Sequence, residues 1–276
     1  MKFPQIICLL SAFFFFLQGA QSQPSHEAPA AEGAVKVMSF NVLRDRWAPE
    51  GAPDWGTRRA AVFATIETHR PAILGLQEET GGQLKDVLKN LPTYASPTDW
   101  SRSGGHLLVR KESWNVLEQG KISIPRRREV SWVLVESTTS GEKWLFYNAH
   151  FWHGSETERT TAAKAITEHI IESNLDNIPV VVMGDLNCTD DSSTLQYLYS
   201  EKDAMLTFTN SYTDVATNNP KWGTYHRFDG NQDGSRIDHI LVNQNVRTID
   251  STILNEKEDG VWPSDHYPIL ATLKAQ

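Results

Sequence analysis

Short apolar runs alternate along this chain with longer stretches of helical period. Val35-Lys36-Val37-Met38-Ser39-Phe40 predicts a first strand, and Ala72-Ile73-Leu74-Gly75-Leu76 a second, buried one. Between them Trp55 to His69 predicts a helix stopped by Pro71. Gly82 to Leu91 predicts a second helix, with Leu84, Val87, Leu88 and Leu91 on one face. Strands follow around 106–110, 114–119, 131–135 and 144–151. A helix over Glu156 to Ser173, a strand at Pro179 to Met183 and a short helix over Ser193 to Tyr199 come next. Ile237–Val242 and Ile269–Leu273 predict the closing strands. Helices and strands are interleaved, yet several strands follow one another directly. This points away from a pure βαβ repeat and toward an α/β chain with mixed sheets. Runs such as Trp144-Leu145-Phe146-Tyr147 predict burial on both faces, as in two sheets packed together with helices outside.

The first residues do not fit that pattern. Lys2, the apolar run from Ile6 to Leu17 and the small residues around Ala20-Gln21-Ser22 have the form of a secretory signal over residues 1–22. The run is shorter than the ~20 residues of a membrane-crossing helix. Residues 23–33 are rich in Ala, Pro, Gln and Glu and predict a disordered spacer. The expected layout is therefore leader, spacer and one domain over 34–276, exported to the periplasm or secreted. Cys8 lies in the leader, which leaves Cys188 without an intrachain partner. The chain has 276 residues and a formal net charge of −8. Hydrophobic residues make up 39% of it, which fits a globular protein and excludes a polytopic membrane protein. The negative charge argues against a large nucleic-acid partner, whose binding draws on a basic footprint.

Polar residues gather where the predicted strands end. Asn41 follows the first strand, and Gln77 and Glu78 follow the second. Asn148 and His150 close the Trp144 strand, and Asp185 and Asn187 follow the Val180 strand. Asp238 opens the Ile240 strand, and Asp265 and His266 precede the Ile269 strand. If the earlier strands run toward one edge and the last two run away from it, all these groups meet there. Four carboxylates, Glu78, Asp185, Asp238 and Asp265, would repel one another unless a cation or protons compensated. Oxygen donors without Cys suit a hard cation, with Mg2+ favoured and Mn2+ or Ca2+ as alternatives. Histidines beside the carboxylates add acid–base capacity near neutral pH.

Six motifs now stand in order: Ser39-Phe40-Asn41-Val42, Leu76-Gln77-Glu78, Asn148-Ala149-His150, Gly184-Asp185-Leu186-Asn187, Arg236-Ile237-Asp238-His239-Ile240 and Ser264-Asp265-His266-Tyr267-Pro268-Ile269. Together they resemble the endonuclease/exonuclease/phosphatase superfamily, from about residue 35 to the C-terminus. The resemblance implies a DNase I-like α/β fold, a four-layer sandwich of two packed mixed β-sheets flanked by helices. It implies a metal-dependent phosphoesterase acting on a phosphodiester or phosphomonoester by in-line attack of an activated water. Glu78 would be the principal metal ligand, with Asn41 beside it and Asp265 in contact through water. Asp185 would align or deprotonate the water, and Asn187 would hold the scissile phosphate or that water. His266, oriented by Asp238, would donate to a phosphate oxygen, and His150 would match the second histidine of the family. Arg128 resembles a phosphate-contacting arginine, and Asn148 shares the His150 motif; both are expected to contact substrate.

Three departures narrow the family. Some exported bacterial relatives carry Asp-His where Trp152-His153 stands here, and Ser101 to His106 offers no acidic partner for His150. Ser235-Arg236-Ile237 replaces the Trp-Cys of inositide phosphatases. Glu79 reads as a solvated neighbour of Glu78, and His106, His169 and His239 as packing or surface residues. Arg126-Arg127-Arg128 is the dense basic run, and Trp47, Trp55, Trp100, Trp152, Trp222 and Trp262 fall in or beside predicted loops, where an aromatic wall is one reading of some. A DNase-like endonuclease is the alternative function, and a non-catalytic binding module on the same scaffold a third. The substrate stays open at this stage among small molecule, lipid headgroup and nucleic acid, as does the oligomeric state.

Overall fold

A computed structural model describes residues 33–46, 48–98, 105–173, 175, 177–200, 206–215 and 222–276. The leader at 1–22, all of the spacer but Gly33, Trp47 and 99–104 with Trp100 lie outside them. Twelve strands are present among the described residues, in two six-stranded sheets. The first holds β1 (Ala34–Asn41), β2 (Ile73–Gln77), β3 (Tyr94–Ala95), β4 (Leu107–Arg110), β11 (Val246–Ile253) and β12 (Ile269–Ala275), in the order β11-β12-β1-β2-β4-β3. The second holds β5 (Trp114–Ile124), β6 (Arg128–Ser137), β7 (Lys143–His150), β8 (Val180–Asp185), β9 (Phe208–Asn210) and β10 (Asp238–Asn243), in the order β5-β6-β7-β8-β10-β9. Each sheet has one parallel pair, β1 with β2 and β7 with β8, among antiparallel neighbours. Mixed sheets are thus observed, as the interleaved pattern predicts.

Three apolar layers hold the sandwich. Val37, Ile73, Val133, Phe146, Val181, Met183 and Ile240 fill the space between the sheets. Helices α1 (Trp55–His69) and α2 (Gly81–Asn90) cover the outer face of the first sheet, where Val62, Ile66, Leu84 and Val87 pack with Met38, Phe40, Leu74 and Leu76. Helices α3 (Glu156–Glu172) and α4 (Ser193–Tyr199) cover the second, through Ile166, Ile170 and Leu195 against Leu145, Tyr147 and Val182. The alternate residues of β1 and β7 therefore enter different layers, and both faces are apolar because both are covered. A one-turn helix, α5 (Ser211–Asp214), follows β9. No helix of the described residues is long and apolar enough to cross a membrane.

Local signals set the helix starts. Asp54 accepts from the Thr57 amide at the start of α1, and Thr80 with Gln83 forms a reciprocal capping box on α2. Ser155 and Ser192 cap α3 and α4. Helix α1 stops at Arg70, in the left-handed region at φ 47°, before Pro71. β11, a strand with Arg247, Ile249 and Asp250 outward, has no counterpart among the predicted elements, and β5 runs on to Ile124.

Candidate active site

The central strands stop at one edge. β1 ends at Asn41, β2 at Gln77, β7 at His150 and β8 at Asp185. β10 begins at Asp238, in register with Asp185, and β12 begins at Ile269, in register with Ser39. The turn before β12 therefore delivers Asp265 and His266 to the same edge. A cleft of about 510 Å³ opens there. Glu78, Arg128, His150, Asp185, Asn187, Asp265 and His266 all line it.

The base of the cleft is a chain of buried polar contacts. His266 donates through Nδ1 to Asp238 Oδ2 at 2.8 Å. Burial alone would lower its imidazole; the charge and hydrogen bond of Asp238, with Asp185 and Asp265 nearby, outweigh that and raise it well above its ordinary value. His266 is thus a cation whose Nε2 is left for the cleft. Asp185 accepts from Asn41 Nδ2 at 3.0 Å and from the Asn187 amide at 3.0 Å. Burial first, then the charge of Asp238, push its carboxyl up. Asn187 sits in the left-handed region at φ 52°, and its Nδ2 donates to the Phe151 carbonyl at 3.0 Å. That ties the loop after β8 to the loop after β7.

On the other side stands Glu78, also left-handed at φ 65°. Arg44 Nε donates to Glu78 Oε2 at 2.8 Å, and His150 Nε2 lies 3.8 Å from Oε1. Burial acts to raise this carboxyl, but the influence of His150 and the hydrogen bond and charge of Arg44 outweigh it and hold Glu78 at about 2. His150 itself is pushed down to about 3 by burial and by Arg128. The imidazole is therefore neutral near pH 7, and Arg44 is the standing counter-ion of Glu78. Arg128 Nη1 donates to the carbonyls of His150 and Phe151 at 2.8 and 3.1 Å, and its guanidinium lies 5.4 Å from the Trp152 ring centre.

Several expectations are revised by the geometry. Asn148 does not face the cleft: it is fully buried between the sheets. Its Nδ2 donates to the carbonyls of Leu76 and His106, and its Oδ1 accepts from Gln77. It ties the two sheets together and makes no wall for substrate. A Cβ at Gly75 would sit 2.7 Å from its Oδ1, so this tie requires glycine on β2. Asn41 is 1% exposed; its Oδ1 accepts from the Leu43 amide, and it reaches the site through Asp185. Glu79 is not solvated. It is 2% exposed and accepts from the amides of Gly105 and His106 and from the His106 ring. Of the tryptophans, Trp152 lines the cleft; Trp222 and Trp262 pack on the core, and Trp55, the first residue of α1, is buried against the first sheet's outer layer.

Arg44 and Tyr225 also line the cleft and carry no motif signal. Arg58, one helix turn into α1, is fully buried and donates to the carbonyls of Val42, Leu43, Pro53 and Pro263. It joins the loop after β1 to the loop carrying Asp265. In sequence it looks like any helix-surface arginine, because its partners are backbone atoms distant along the chain.

The donors suit a hard dication. Ligand atoms of Asp185, Asp238 and His266 lie within 4.8 Å of one another. Because Asp238 and His266 are already hydrogen-bonded to each other, the oxygens left facing the cleft belong to Glu78 and Asp265, with Asp185 close by. The Asp265 carboxyl is itself pushed up by burial, and also by Glu78, an excess of negative charge that a cation would relieve.

Comparison with known proteins bears on the family and the fold. Residues 38–266 match the Endonuclease/Exonuclease/phosphatase family. An endonuclease/exonuclease/phosphatase from Bacteroides vulgatus superposes with a TM-score of 0.77 at 25% identity, covering 88% of this chain and 99% of that one. A mannosyl-6-phosphatase from Bacteroides thetaiotaomicron gives 0.74 at 22% identity, over 87% and 99%. The human Nocturnin catalytic domain gives 0.73 at 17%, over 90% and 96%. No curated sequence matches. The two sheets, their helical cover and the family match lead to one statement: the chain belongs to the endonuclease/exonuclease/phosphatase family.

Proposed function

We propose that the chain is a divalent-metal-dependent phosphoesterase, with Mg2+ as the favoured ion. The observation that carries this reading is the single cleft in which Glu78, Asp185, Asp265, His150 and His266 meet from four separate chain segments. Glu78 and Asp265 would hold the ion, which supplies charge neutralisation on the phosphoryl oxygens. Asp185, oriented by Asn41 and the Asn187 amide, is placed to take a proton from an attacking water. Its carboxyl is pushed up toward the range where a base works best near neutral pH. His266, kept cationic by Asp238, donates from Nε2 to an oxygen on which charge develops. Arg128 adds a fixed positive charge at the wall. His150, neutral and 3.6 Å from Asp185 Oδ2, keeps that region from collecting further charge. The net charge of −8 favours a small phosphoester over duplex nucleic acid.

The test is a panel of sugar phosphates, nucleotides, inositol phosphates, sphingomyelin and nucleic acid, each with Mg2+ or with EDTA. Hydrolysis of at least one substrate that stops in EDTA, and falls ~100-fold or more in Asp185→Asn and in His266→Ala, is expected. Most of the activity surviving in either folded variant, or surviving in EDTA, would overturn the reading.

A further inference from the structure

Glu78 already has a cation. Arg44 Nε donates to its Oε2 at 2.8 Å, a single-point contact that leaves the outer guanidinium nitrogens without a hydrogen bond among the described residues. The pair is partly buried, with 35% of the Arg44 side chain and 18% of the Glu78 side chain exposed, and both residues line the cleft. Unusual backbone aims them at each other. Leu43, just before Arg44, is left-handed at φ 51°, and Glu78 is left-handed at φ 65°. Neither is a residue that adopts this region readily. At Leu43 the conformation is over-determined: its amide donates to Asn41 Oδ1, and its carbonyl accepts from Arg58 and Gln83. Such local strain, held by the surroundings, is characteristic of ligand-handling sites. No motif found in the sequence includes Arg44.

We propose that Arg44 couples the cation to the phosphoester. This inference rests on the phosphoesterase reading of the same cleft. With nothing else bound, Arg44 balances Glu78. A dication beside Glu78 then meets a positive charge already in place and binds weakly. A phosphoryl group brings negative charge to the free nitrogens of the guanidinium, whose fork suits phosphate oxygens. Arg44 is then satisfied by phosphate, and its opposition to the dication falls. Cation and phosphoester consequently bind better together than apart, and by linkage each tightens the other equally.

Calorimetric titration of the purified full chain with Mn2+, with and without inorganic phosphate, tests this. For the natural chain, phosphate is expected to tighten Mn2+ binding by roughly 5- to 100-fold, the usual range for coupled sites. Arg44→Gln removes the charge and should bind Mn2+ about tenfold more tightly without phosphate, with little further gain when phosphate is added. Arg44→Lys keeps the charge and should bind Mn2+ as weakly as the natural chain, with reduced phosphate coupling because the fork is lost. Equal or weaker Mn2+ binding in Arg44→Gln, or the same phosphate effect in all three chains, overturns the proposal. So does Arg44→Lys behaving like Arg44→Gln. If none of the chains binds Mn2+, the proposal falls together with the metal reading, an outcome distinct from normal binding without coupling.

Discussion

At the scale of single residues, Asp238 does not line the cleft and meets it through His266. It touches His266 Nδ1, while the His266 ring faces the cleft. Asp238→Asn should keep the shape but no longer hold the imidazole as a cation. kcat is expected to fall by about 10²- to 10⁴-fold, the usual weight of a positioned acid–base group, with KM changed only a few-fold. Steady-state kinetics on the best panel substrate decides this, and a loss confined to KM would contradict it. Asp238 and His266 were legible in sequence because each sits in a contiguous motif. Glu79 was not, because its donors are Gly105 and His106, and sequence gives no sign that they return to it. Its carboxylate is buried with three donors, so Glu79→Ala should destabilise the fold by ~3–5 kcal/mol in urea unfolding. A solvated Glu79 would instead give ~0.5 kcal/mol or less. Asn148 shows the reverse error: its place in a catalytic motif hides a structural task, joining the sheets.

At the scale of elements, two contacts set how neighbouring elements pack. Gly184 in β8 has φ 142°, and a Cβ there would lie 1.9 Å from the Ala149 carbonyl of β7. Gly184→Ala must push β8 away from β7 just before Asp185. A loss of ~3 kcal/mol or more, with activity lost as well, is expected from unfolding and kinetic measurements. The second contact joins α3 to α4. Glu156 accepts from the Ser193 hydroxyl, the Thr194 amide and hydroxyl, and Arg159. Burial is the largest single influence and opposes ionisation, but these donors together outweigh it and hold the carboxyl at about 2. A depressed folded value means the stabilisation is complete above the ordinary value of 4.5 and is lost as pH falls toward 2. The side chain is 38% exposed, so screening limits the effect. Glu156→Gln should cost ~1–2 kcal/mol at pH 7, and the gap to the natural chain should shrink between pH 4.5 and pH 2. A constant gap across that window would contradict the assignment. Most strands and the major helices were legible because they are apolar on one or both faces. β11 escaped because Arg247, Ile249 and Asp250 are exposed and a bulge breaks its alternation.

At the scale of the whole molecule, function follows from topology. The parallel pairs β1–β2 and β7–β8 end at one edge, and the antiparallel strands β10 and β12 begin there. That arrangement brings residues as far apart in the chain as Arg44 and His266 into one cleft. The motif order was readable in the chain, whereas the sheet order was not, since β12 pairs with β1 from the opposite end of the sequence. The position of the cation is the most direct test of this geometry. Crystals soaked in Mn2+ would report it by anomalous scattering. The expected result is an ion in the cleft bonded to a Glu78 oxygen, beside Asp265 and within reach of the phosphate that His266 would contact. An ion bound only elsewhere, with Glu78 uncoordinated at saturating Mn2+, would contradict it.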